Sequence, residues 1–124
     1  MVNICFYFQV HQPNRLKKYS IFDINKHSNY FDEKKNKEII EKVATKCYLP
    51  MNNLLLRLIN KHNGKFKVSF SISGTVLDQF EKYTPKVIQS FKDLSETGCV
   101  EFLTETYYHS LSFLFSKEVF KNQI

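Results

Sequence analysis

Two histidines and two glutamates stand where extended segments run out into polar sequence. His11 closes the run Phe6-Tyr7-Phe8-Gln9-Val10-His11-Gln12-Pro13. Glu101, Glu105 and His109 fall within Gly98-Cys99-Val100-Glu101-Phe102-Leu103-Thr104-Glu105-Thr106-Tyr107-Tyr108-His109. In a parallel α/β protein, chemistry is assembled at the carboxyl ends of strands. Alternation puts Gln9 and His11 on one face, so both can point into one cavity, with Gln12 next in the chain. An imidazole there can hydrogen-bond a sugar hydroxyl or orient a carboxylate. A histidine that only ties a strand end to a loop fits the spacing equally well. Glu101 lies in a run whose apolar character predicts burial, and an unpaired buried carboxylate is very costly. It is either a structural ion-pair partner or part of a polar site wall. Glu105 lies further along the same face, nearer the mouth, and His109 ends the aromatic segment beyond it.

Other chemistries lack their residues. The three glycines make no phosphate-binding loop. Zinc-ligand spacing, HExxH and a nucleophile elbow are all missing, so no metal or cofactor is expected. The net charge of +6 comes almost wholly from lysine, with Arg15 and Arg57 the two arginines. Specific phosphate and base readout favours the guanidinium fork, and these lysines form no stripe, so no nucleic-acid partner is expected. No apolar run approaches the roughly 20 residues of a membrane span, and no secretory leader is read at the amino terminus. Cys5, Cys47 and Cys99 are odd in number and form no CxxC pair. They read as small buried hydrophobes in a reducing, cytoplasmic setting.

The elements that must hold these residues follow from periodicity. Residues 2–10, 67–73 and 99–105 alternate with period two. Ile4, Phe6, Phe8, Val68, Phe70, Ile72, Val100 and Phe102 form an apolar face predicted to lie under helices. Asn3, Tyr7, Gln9, three serines and Glu101 form the other. Helical spacing covers 36–62 as two helices or one bent at Pro50, with Met51, Leu54, Leu55, Leu58 and Ile59 inward and Gly64 as a stop. Val76, Leu77 and Phe80 mark a short helix. Val87, Ile88, Phe91 and Leu94 mark a longer one from Pro85, stopped by Gly98. Ser116 to Ile124 opens another. The order predicts right-handed parallel crossovers. A sheet with one polar face suits a closed barrel with a functional lumen better than an open doubly covered sheet. The loop from Gln12 to about Glu33 is long for a βα connection, and its Tyr19, Phe22, Tyr30 and Phe31 either stack on sugars or pack on one another. With 43% hydrophobic and 15% aromatic residues, 1–124 is expected to be one folded domain. Three strands cannot close a barrel, so further strands are expected carboxyl-terminal to Ile124.

His11-Gln12-Pro13 and Gly98-x-x-Glu101 running into Tyr107-Tyr108-His109-Ser110-Leu111, in this order and spacing, resemble the amino-terminal part of glycoside hydrolase family 57, the α-amylase and 4-α-glucanotransferase group. The resemblance implies an α/β fold, the amino-terminal portion of a TIM-like (β/α)7 barrel. It also implies an α-glucan or maltodextrin substrate and retention of configuration. Retaining chemistry uses a carboxylate nucleophile and an acid-base about 5–5.5 Å apart. In the family both lie on later strands, so these 124 residues alone are expected to be inactive. The resemblance carries over His11 and Glu101 as site-lining residues; Glu105 and His109 rest on parity and position. A metal-dependent, polysaccharide-deacetylase-like barrel would want paired aspartates near strand one and HxxxH, and neither is present. A non-enzymatic binding module is the other alternative.

Overall fold

The computed structural model describes residues 4–26 and 29–124. Asn3, assigned above to the polar face, lies outside them. The order is β1 (Phe6–Val10), α1 (Glu33–Val43), a π turn (Ala44–Tyr48), α2 (Leu49–Lys61), β2 (Val68–Ile72), α3 (Gly74–Tyr83), α4 (Pro85–Glu96), β3 (Val100–Leu103) and α5 (Lys117–Lys121). Among the described residues the strands form one parallel sheet in the order β1-β2-β3. Parallel strands joined through helices are what the alternating pattern predicts. The rungs run Phe6–Val68–Val100, Tyr7–Ser69–Glu101, Phe8–Phe70–Phe102 and Gln9–Ser71–Leu103, so the apolar and polar sets fall on opposite faces.

The core lies where α1 to α4 meet the apolar face of β2. Val68, Phe70, Ile40, Leu55, Ile59, Val76, Phe80, Val87 and Leu94 are all buried there. The Phe70 ring meets Phe8 at 5.4 Å and Phe91 edge-on at 5.3 Å. Cover is incomplete at the margins, against the expectation from alternation. Ile4, Phe6 and Phe102 remain 77%, 46% and 40% exposed. β1 and β3 are sheet edges, and the helices sit over the central strand.

Two local features shape the helices. Asp32 caps α1 by accepting from the Lys35 amide at 3.0 Å. Pro50 then stands in the first turn of α2. It has no N–H to give residue 46, and its ring excludes that carbonyl. The chain meets this with a π turn, in which Leu49 N donates to Ala44 O. The helical stretch is thus continuous, and the extra residue rotates α2. Its buried stripe becomes Asn52, Leu55 and Ile59, leaving the expected Met51 and Leu54 exposed. Asn52 Nδ2 donates to Ser90 Oγ at 2.9 Å, which makes its burial tolerable.

The cysteine expectation holds for Cys99 alone, since Cys5 and Cys47 are exposed. Edge position at β1 and the rotation around the π turn account for the difference. In the long loop, Leu16 bridges Phe31 antiparallel and the Tyr19 and Tyr30 rings lie 5.2 Å apart. These tyrosines pack on each other, while Phe22 stays exposed. No helix among the described residues is long and apolar enough to cross a membrane.

Candidate functional site

His11 stands one residue past β1 on the polar face. Its Nδ1 lies 2.7 Å from Ser73 Oγ and 3.4 Å from Thr75 Oγ1. Ser73, fully buried, precedes α3 where a serine would ordinarily cap the helix, yet it makes no capping bond. Its hydroxyl is committed to His11 and to Thr75 Oγ1 at 3.2 Å. The imidazole is therefore fixed at Nδ1 by the start of the second crossover, leaving its other nitrogen for a ligand.

The segment after β3 brings the second histidine. His109 adopts φ +53 in a turn where its amide donates to Thr106 O at 2.9 Å. Its ring lies 4.6 Å from that of His11, tilted by 36°. Gln9 Nε2 approaches His109 Nδ1 at 3.1 Å, and Glu105 Oε1 lies 3.5 Å from the same nitrogen. That nitrogen cannot serve both neighbours in one state. Unprotonated, it accepts from Gln9; protonated, it faces the Glu105 carboxylate. Glu105 is nearly buried, and neither carboxylate oxygen has a hydrogen-bond partner. Burial holds the His11 pKa below its ordinary value; the His109 imidazole lowers it further, against an opposing pull from Glu105.

The segment is anchored as well as turned. Thr75 N donates to Tyr107 O at 3.1 Å, and Tyr107 N donates to Gln123 O at 2.8 Å. The Tyr107 hydroxyl donates to Asp78, and this bond is the main cause pushing its pKa up to about 12. Its ring lies so close over α3 that a Cβ on Gly74 would sit 2.1 Å from Cδ2.

Of the residues singled out from sequence, His11, Glu105 and His109 come together. Glu101 and Gln12 do not join them. Glu101 shares their face but pairs in register with Ser69 and Tyr7, toward the amino end of the strands. It is exposed, not buried as expected, because β3 is an edge of the sheet. It lines a cavity of about 380 Å³ with Lys67, Ser69 and Cys5. Gln12 falls at the opposite parity: its Oε1 accepts from Arg15 Nη2 at 2.8 Å, and its carbonyl accepts from Gln79 Nε2 at 2.8 Å. Ser73, Thr75, Asp78 and Tyr107 complete the cluster. Parity alone could have advanced Ser73; Thr75 and Asp78 arrive on a helix and carry no strand signal.

A polar cluster at the carboxyl ends of parallel strands, with helices on the far face, defines a β/α-barrel type of site. The 4-alpha-glucanotransferase from Thermococcus litoralis shares the fold, with a TM-score of 0.69 and 20% identity over 99% of this chain and 16% of that chain. The Methanocaldococcus jannaschii protein named "Putative alpha-amylase" is 47% identical over 120 residues, 93% of this chain and 24% of that relative. The sequence matches Glycosyl hydrolase family 57 over residues 5–124, and the chain belongs to that family. It spans about a quarter of the length of the curated relative.

Proposed function

We propose that this chain supplies the amino-terminal, substrate-lining part of a retaining glycoside hydrolase acting on α-glucans, in the manner of an α-amylase or glucanotransferase. Family membership and the names borne by its relatives support the substrate class. The observation that carries the site is the convergence of His11, Ser73, Glu105 and His109 at the strand ends. In this reading His11, fixed through Nδ1, offers its free ring nitrogen to a sugar hydroxyl. His109 offers a second donor or acceptor, and Glu105 supports it. Glu101 contributes deeper in the lumen, and Gln12 shapes the loop behind His11. The catalytic pair comes from elsewhere. Four residues of extended chain span roughly 13 Å, far more than the ~5–5.5 Å of a retaining pair, and Glu105 lies past the end of β3 while Glu101 is within it. Strands beyond Ile124 are proposed to bring those carboxylates. The three free cysteines support an intracellular setting.

The test is His11→Ala in the enzyme carrying these residues. Maltodextrin turnover is expected to fall by about a hundredfold or more, the scale of a lost transition-state contact, with little change in melting temperature. Parallel loss of turnover and stability would make His11 structural. The 124 residues assayed alone are expected to release no reducing sugar.

A further inference from the structure

We propose that Tyr108 is a stacking platform for a glucosyl ring next to the one held by His11 and His109, an assignment that rests on the α-glucan reading above. Three observations single it out. The residue is 62% exposed, yet it adjoins His109, whose ring lies 4.6 Å from that of His11. Its ring meets Tyr107 edge to face at 4.7 Å, which leaves at least one of its own faces open. Tyr107 is itself locked, through Asp78, the Thr75 amide, the Gln123 carbonyl and its close seat on Gly74.

A sugar platform needs that combination. Pyranose rings present apolar C–H faces, and an aromatic ring already held in place loses little entropy when it stacks on one. The other strongly exposed aromatics lack part of it. Phe22 sits at 78% exposure on the turn Ile21–Asp23 of the long loop, outside the histidine cluster. Phe115 is 90% exposed and has no comparable ring behind it among the described residues. Tyr108 joins an open face to a fixed backing one residue from His109.

The experiment is an NMR titration of the chain with maltoheptaose and with maltose, comparing wild type with Tyr108→Ala, Tyr108→Leu and Tyr108→Phe. Loss of the ring in the Ala and Leu variants is expected to weaken maltoheptaose binding by about tenfold, with Phe within about twofold of wild type. The Leu variant keeps apolar bulk without a ring and carries the comparison if the Ala variant misfolds. Maltoheptaose affinity unchanged in both Ala and Leu variants would overturn the platform and leave the α-glucan reading intact. So would a Phe variant as weak as Ala, which would assign the effect to the hydroxyl. A wild-type chain that binds neither sugar would overturn the α-glucan reading, and the platform with it.

Discussion

His11 is a residue whose neighbours all act on one proton. Buried Ser73 holds Nδ1, while burial and the second imidazole disfavour charge. Its pKa in the folded chain therefore lies below the ordinary 6.5. As pH falls through that range, the unfolded chain takes up this proton first, and stability drops until the folded pKa is passed. Urea melts between pH 7.5 and 5 are expected to show more loss in wild type than in His11→Gln. Equal slopes would mean that His11 titrates normally. Ser73→Ala removes the bond that fixes the ring and is expected to bring the His11 pKa, read by NMR, to a different value while the fold persists.

At element scale two glycines are required for different reasons, and only Gly74 bears on the site. Gly98 closes the turn after α4 at φ +66, with nothing within 4 Å of where a Cβ would stand. Gly98→Ala should cost about 1–2 kcal/mol, the penalty of left-handed backbone for an L residue, and leave the site undisturbed. Gly74 carries no such strain, but its missing Cβ is the seat of the Tyr107 ring. Gly74→Ala must push that ring away, so His109 and Tyr107 resonances should move in this variant and stay put in Gly98→Ala. Equal perturbation of the His109 signals by both would refute the distinction. The π turn belongs to this scale too: Pro50 makes it necessary, and it decides which side of α2 faces inward.

Across the whole molecule, the helices cover one face of the sheet and leave the other to the site. Phe80 is fully buried, edge-on to Tyr48 at 5.1 Å and beside Phe91 at 6.3 Å. Phe80→Ala should cost about 3–5 kcal/mol in a denaturant melt, since it opens a cavity among rings that cannot all collapse inward. A loss below about 1 kcal/mol would mean that the core repacks freely. The opposite face behaves differently. Ser71 is buried and shares a hydrogen bond with the Tyr7 hydroxyl at 2.6 Å, whereas Glu101 on the next strand stays open. One polar face thus holds both packed and accessible groups, according to distance from the sheet edge.

Local sequence was enough to sort the strand residues into two faces, because side-chain alternation is a property of the extended backbone itself. It also located the helix stops at Gly64 and Gly98 and the motifs that mark the family. The sequence carried no account of which polar residues meet. His11 joins Glu105 and His109, not Glu101, because the rung Phe6–Val68–Val100 sets the height of β3 against β1, and that register comes from pairing between distant segments. Ser73 and Thr75 reach His11 across 62 and 64 residues of chain, a contact no local pattern encodes. Asn52 turns inward through a one-residue shift at the π turn. Alternation is written residue by residue; register, edge position and helix rotation exist only once separate elements pack.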